Sequence, residues 1–501
     1  MITPEHVDLI PSTLGWGTIL HFSSVLILCA HLLIKPRDSR TSLLWIFFAS
    51  FFPVLGISAY ILFGINTAPS KGWEKQHSDS RFNELLNSFR LPSYPPQPPG
   101  LKQQDCQPRP LITNIHSLNQ ILDRTGSYHP LLGGNSIVLL DDAMDAFKEM
   151  FEAIKGAKKH IHFTTYILAD DAIGKELMNL LKERAEQGVK VRLMYDAFGS
   201  ATASLRLFFW RFRNVPNMQV TAFSQVNLLQ RKFMLNNRSH RKLMIVDGEI
   251  AYTGGINFHD VYLKKNRKEG TRDFHFKIKG PVVLDLQNTF LRDWFYMTDE
   301  PVEQLLAATN FPEPRWDGDC TARVINSGPT KAENAVALDS LFAAVSKAQR
   351  QLIILTPYFV PPQSLILALR TAAARGVDVR VLVPSVNNHP SLQQASHSLF
   401  EPLLLSGVRI FERNPPFIHA KAILIDDAAA IIGSSNVDPR SLYLNYETNL
   451  IVFDSAFTST LKRAIQYEFD HSTEILHVIW NQRSQWKRVV ENFFNLFHPI
   501  A

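Results

Sequence analysis

SHRKLMIVDGEIAYTGGIN, residues 239–257, returns in its spacing as HAKAILIDDAAAIIGSSN, residues 419–436. His240, Lys242, Asp247, Gly254, Gly255 and Asn257 stand at the same offsets as His419, Lys421, Asp426, Gly433, Ser434 and Asn436. Six matched positions arise by chance on the order of once in 10⁶ windows, so two half-sites are written into one polypeptide. LMIV and AILI read as buried strands ending at the aspartate, and a histidine and a lysine two apart at the strand's start point to the same side. Each half then offers an imidazole that can attack phosphorus or protonate a leaving alkoxide, and an ammonium that neutralises phosphodiester oxygens. Gly255 and Ser434 are expected to let backbone approach a phosphate, with the Asn257 and Asn436 amides donating to it. Asp247 and Asp426 complete the candidate catalytic set, and their place past the strand gives them a structural task.

Outward from the motifs, helix and strand alternate in both halves. Met144, Phe147, Phe151 and Ile154 keep helical spacing before a strand at HIHFTTYIL; a helix over 174–187 and a strand at VKVRLMY follow. QLIILTPYF, a helix of alanines and leucines, and VDVRVLVP repeat that order. Such alternation predicts an α/β sandwich in each half, its sheets covered by helices.

At the motif residues the chain resembles the phospholipase D superfamily, whose H-x-K-x4-D motif occurs in paired copies around one active site. The flanking GGINFHDVYL, TRDFHFKIKGPVV, FIHAKAILIDD and GSSNVDPRSLYLNYETNL are similar to those of bacterial cardiolipin synthases. The resemblance implies two fused phospholipase D-like α/β repeats acting on phospholipids. It implies a phosphatidyltransferase that joins two phosphatidylglycerol molecules into cardiolipin, releasing glycerol through a phosphatidyl-histidine. It also implies His240 as nucleophile, His419 as acid and base, and Asp273 and Glu447 as the acids that orient the motif histidines. Neither cofactor nor metal is expected, because Lys242, Lys421 and the two asparagines supply the charge stabilisation a metal would.

At 501 residues and 46% hydrophobic, the chain can hold two large cores and a membrane segment. A net charge of +6 suits an anionic membrane or nucleic acid without choosing between them. Cys29, Cys106 and Cys320 are too scattered for a disulfide framework or a zinc site. Residues 14–34 and 43–63 are each apolar for the length of a bilayer crossing, which predicts an N-terminal hairpin of two transmembrane helices and a multi-pass membrane protein, and the resemblance implies that the membrane is the bacterial inner membrane. Its orientation stays open, because Lys35, Arg37 and Arg40 compete with Lys71, Lys75 and Arg81.

The expected domains are two transmembrane helices over 1–65, a Pro-rich linker over 66–112, and repeats over 113–310 and 311–501. The second repeat closes on an amphipathic helix marked by Trp486, Val490, Phe493, Phe494 and Phe497. LRLFFWRFR, residues 205–213, could stack bases or lie in a membrane interface, the better of the two beside a transmembrane hairpin, and reads as readily as a core helix whose arginines reach out to water. His162, His275 and His389 lie outside the repeated motif and are set aside. A phospholipase D or other phosphatidyltransferase is the near alternative. A nuclease of the same superfamily fits the basic charge but has no need of two spans, so no nucleic-acid partner is expected. A non-catalytic scaffold would need degraded motifs, and both are intact.

Overall fold

The computed structural model describes residues 12–34, 39–61, 68–89, 113–124, 129–223, 238–264 and 269–497. They fall into two compact units, one of residues up to Thr67 with the tip from Leu496, the other Ala68–Asn495.

In the first unit, α1 (Ser12–Ile34) contains Gly17–Ile34, the one described helix long and apolar enough to cross a membrane. The second apolar run does not form one helix. It divides at Phe52 into α2 (Ser39–Phe51) and α3 (Pro53–Ala59), because proline lacks the N–H that would continue the ladder and fits only a helix's first turn. Leu28 and Leu32 pack with Trp45, Ala49 and Tyr60, and the Tyr60 hydroxyl meets His31 Nδ1 at 2.6 Å.

The second unit is built on strands β1 (Leu132–Leu140), β2 (His160–Thr165), β3 (Lys190–Asp196), β4 (Met218–Phe223), β5 (Leu243–Val246), β6 (Ile250–Gly254), β7 (Thr271–Arg272) and β8 (His275–Lys279). The other half carries β9 (Cys320–Ser327), β10 (Gln351–Leu355), β11 (Asp378–Pro384), β12 (Arg409–Arg413), β13 (Phe417–Ile418), β14 (Ala422–Ile425), β15 (Ala429–Gly433), β16 (Glu447–Phe453) and β17 (Ser472–Ile475). The separate sandwiches expected for the halves are joined. A single 15-stranded sheet runs β17-β12-β11-β10-β14-β15-β16-β9-β1-β8-β6-β5-β2-β3-β4, with β1 and β9 meeting antiparallel across an irregular register at its middle. One core serves both halves: Leu243, Phe274 and Leu286 of the first pack with Leu355, Leu450 and Leu461 of the second. On the flanks, Ala143–Gly156 and Ala172–Glu186 cover the first half-sheet, and Lys331–Lys347 and Gln363–Ala374 cover the second.

The linker expected over 66–112 holds structure at its start. Its residues 68–89 form α4 (Ala68–Phe89), whose Lys75, Asp79, Phe82 and Leu86 lie on one buried stripe. Phe82 and Leu86 join the shared core. Sequence periodicity misses this helix because half its buried stripe is charged. The Pro-rich residues 90–112 lie outside the described residues. The helix α5 (Thr113–Arg124), assigned to the first repeat, packs its Leu118 and Leu122 into the core of the second, and Asp123 pairs with Arg323 of β9 at 2.6 Å.

Candidate active site

Each motif enters its strand beside the other half's acid. The stretch before β5 bridges Ser239 to Tyr446, and His240 N–H donates to the Tyr446 carbonyl at 2.9 Å. In the other half, β13 pairs with β7, and His419 N–H donates to the Arg272 carbonyl at 2.7 Å. Glu447 and Asp273 are the next residues along, so the histidine–acid pairs are crossed between halves. His240 Nδ1 lies 2.9 Å from both Glu447 oxygens, and His419 Nδ1 lies 2.7 Å from Asp273 Oδ2. A carboxylate on Nδ1 fixes the tautomer and leaves Nε2 as the reactive nitrogen. Lys242 Nζ donates to the His240 carbonyl at 2.9 Å, and Lys421 Nζ donates likewise to the His419 carbonyl. All four side chains are buried.

The remaining motif residues divide between structure and site. Asp247 accepts from the backbone N–H of Lys158, Lys159 and His160 at 2.7 to 2.9 Å, and Asp426 does the same for Gln349, Arg350 and Gln351 at 2.6 to 2.9 Å. Both therefore tie off the turn into β2 and β10, away from the histidines. Gly255 and Ser434, expected beside phosphate, stand against the acids. A Cβ on Gly255 would sit 2.0 Å from Asp273 Oδ1, and the Ser434 hydroxyl donates to Glu447 Oε2 at 2.6 Å. Asn257 donates to the Tyr262 hydroxyl at 3.1 Å, which itself lies 3.4 Å from His419 Nδ1. Asn436 is buried, its Oδ1 without a hydrogen-bond partner among the described residues.

Burial is the main force on the titrating groups. It pulls the imidazoles of His240 and His419 down to about 4, so both are neutral near pH 7. It also lowers Lys242 to about 7 and Lys421 to about 8. Burial alone would raise the carboxyls of Glu447 and Asp273, but the histidines and lysines around them hold both below the usual range. A lysine with a depressed pKa is cationic only below that value, so the positive charge of the site is lost as pH rises. We expect kcat/KM, which reports the free enzyme, to fall below about pH 4 as the His240 imidazole takes up a proton, and above about pH 7 as Lys242 and then Lys421 lose theirs. Lys242→Arg, which stays charged, should lift the alkaline limb towards about 8, set by Lys421. An unmoved limb in the pH profile of that variant would assign it to another group.

Several site residues have no motif to announce them. The Tyr166 ring lies 4.9 Å from His240, and Tyr358 lies 6.3 Å from His419. Both follow the repeated strands β2 and β10, one residue out of step, and that recurrence was visible in HIHFTTYIL and QLIILTPYF. Arg241, between the motif histidine and lysine, was hidden. Its Nη1 donates to the carbonyl of Glu447 at 2.7 Å, to Thr448 Oγ1 at 2.7 Å and to Asn326 Oδ1 at 2.6 Å. Its Nε pairs with Asp293 at 2.9 Å. Asp293 meets Lys75 of α4 at 3.1 Å, while Arg292 holds Asp79 at 3.1 Å and Glu333 at 3.0 Å. The buried cations Lys75, Arg241 and Arg292 thus balance Asp79, Asp293 and Glu333. Lys75, weighed in sequence as a loop charge, is part of this cluster. His162 and His275, set aside in sequence, are also buried: His162 bonds Gln287 and Arg192, while His275 sits beside Gly254, close enough to Asp273 and Lys242 to feel both charges.

The family model described as "Cardiolipin synthase, PLD-like domain" matches residues 150–294 and 341–471, and one described as "Phospholipase D-nuclease N-terminal" matches residues 25–64. Cardiolipin synthase 1 of Bacillus cereus is 33% identical over 475 residues, 93% of this chain and 90% of that protein. The cardiolipin synthase of Geobacillus kaustophilus is 31% identical over 500 residues, 97% of this chain and 94% of that one. A crystal structure of phosphatidylserine synthase from Haemophilus influenzae Rd KW20 superposes with a TM-score of 0.58 at 17% identity, covering 77% of this chain and 98% of the other, a likeness of fold alone.

Proposed function

The chain belongs to the cardiolipin synthases of the phospholipase D superfamily and is a phosphatidyltransferase; we propose that it couples two phosphatidylglycerol molecules through a covalent histidine intermediate. The crossed pairs carry this reading: two buried imidazoles, each held at Nδ1 by a carboxylate and each followed by a lysine. His240 Nε2 attacks the lipid phosphorus, the bond from phosphorus to the glycerol oxygen breaks, and His419 gives that oxygen its proton. The second lipid's hydroxyl then returns a proton to His419 and attacks phosphorus, which releases His240. His419 is neutral in the empty site, and the anionic phosphodiester favours the imidazolium that the first step needs. Lys242 and Lys421 balance the charge on the non-bridging oxygens, and the Asn257 and Asn436 amides are further donors to them.

The membrane arrangement we propose is a hairpin, with α2 and α3 forming one kinked second span. It holds the catalytic unit where a second lipid hydroxyl is locally abundant, so transfer outruns hydrolysis by proximity. Exchange of one phosphodiester for another also leaves little driving force, so added glycerol should drive cardiolipin back towards phosphatidylglycerol. The full chain reconstituted in phosphatidylglycerol vesicles should yield cardiolipin with phosphatidic acid a minor product. Phosphatidic acid as the main product whatever the acceptor would make the protein a phospholipase.

A further inference from the structure

The segment LRLFFWRFR sorts its residues by depth. Phe208, Phe209 and Phe212 are buried, Phe209 stacked on Tyr195 of β3 at 3.7 Å. Leu205, Leu207 and Trp210 are 84%, 63% and 58% exposed, and Arg206, Arg211 and Arg213 share their surface. None of these three arginines is ion-paired to a described residue. The segment is neither wholly a core helix nor wholly a surface element, because Phe208, Phe209 and Phe212 anchor it from below while Leu205, Leu207, Trp210 and the arginines face outward. The Arg213 guanidinium lies 3.4 Å from the centre of the Trp210 ring, and Arg238 lies 3.6 Å from that of Phe198, itself 61% exposed. A cation stacked on an aromatic ring suits the boundary between hydrocarbon and headgroup, where one end of the pair is apolar and the other wet.

This surface is fastened to the catalytic histidine. Asp196, at the end of β3, accepts from the N–H of Phe198 and Gly199 at 3.0 Å and from that of Ser239, next to His240, at 2.9 Å. Ser200 Oγ donates to the carbonyl of Tyr166, whose ring lies against His240. The exposed ridge from Phe198 to Arg213 therefore begins beside the His240 side of the site.

The geometry points to this ridge as a bilayer-docking surface that seats the mouth of the active site on an anionic lipid face. The inference rests on the lipid substrate proposed above. Apolar side chains enter the acyl boundary while Arg206, Arg211, Arg213 and Arg238 meet lipid phosphates, each basic residue near an anionic surface adding to the attraction. A substrate lipid then reaches His240 without its chains crossing water. The membrane helix confines the chain to the bilayer, and the ridge orients the site within that confinement.

Two measurements on the full chain test it. Leu205→Asp with Leu207→Asp should lower kcat/KM on vesicle phosphatidylglycerol by about tenfold. Turnover of short-chain phosphatidylglycerol below its micellar concentration should stay within about twofold, since neither residue is placed in the site. Equal loss on both substrates, or loss on neither, would overturn the assignment. In vesicles of dibrominated phosphatidylglycerol, Trp210 emission should be quenched, so that the quenched fraction drops in Trp210→Phe. The effect should weaken in zwitterionic vesicles. Identical quenching with and without Trp210 would show that the ridge does not enter lipid, and equal quenching in both vesicle types would remove the anionic preference. Should the wild-type chain turn over no phosphatidylglycerol, the functional reading fails while the quenching still decides docking.

Discussion

His240→Ala and His419→Ala should each lower phosphatidyl transfer by about 10⁴-fold or more, the scale on which loss of a nucleophile or of its partner in a concerted pair acts. The two variants should differ in where they stop. Without the nucleophile no phosphatidyl group can join the protein; without the acid and base, a substrate carrying a better leaving group can still load it. The crossed pairing makes a sharper demand. Glu447→Gln should reproduce the defect of His240→Ala, and Asp273→Asn that of His419→Ala, because each acid orients the imidazole of the other half. Rapid-quench detection of lipid phosphate bound to protein, across all four variants, checks both statements. Near-normal turnover in either histidine variant ends the two-histidine mechanism. Defects that pair within halves would break the crossed assignment.

The second large effect concerns where the catalytic unit begins. A chain starting at Ala68 should fold in detergent, whereas one starting at Pro110 should not. The shorter chain loses α4, and with it the burial of Phe82 and Leu86, worth about 1.5–3 kcal/mol each. It also takes Asp79 from Arg292 and Lys75 from Asp293, leaving them Glu333 and Arg241 as partners, and a broken buried pair costs about 3–5 kcal/mol. Together these approach the whole net stability of a typical domain, about 5–15 kcal/mol. Limited proteolysis and a thermal melt of the two truncations distinguish them; a cooperative melt from the Pro110 chain would show that α4 is dispensable.

What sequence could reveal here was local. The histidines and lysines were legible because a strand fixes which residues two apart share a side, and the repeat said so twice. Strands β2, β3, β5, β10, β11 and β14 were legible for the same reason. The partner of each histidine was not, because it depends on Ser239 bridging Tyr446 and Ile418 pairing with Arg272, registers set between residues far apart in the chain. The contact of Gly255 and Ser434 with the acids was not legible either, because a small residue announces close approach without saying what approaches. In α4 the buried stripe is half charged, so a reading that equates charge with solvent passes over it. The second apolar run showed its length but not its break, although Pro53 stands in its middle.

The seam between β1 and β9 ties these observations together. Were the halves separate polypeptides, each would carry an unpaired strand edge at the seam, the kind of edge that templates aggregation. Each would also hold a histidine with no carboxylate. Pairing with a second half cures both faults at once, so assembly and competence arrive in a single event. Covalent fusion supplies that second half at a fixed effective concentration. An enzyme diluted among the lipids of a membrane therefore keeps a complete site at any copy number, where a self-associating half would fall apart as it became scarce.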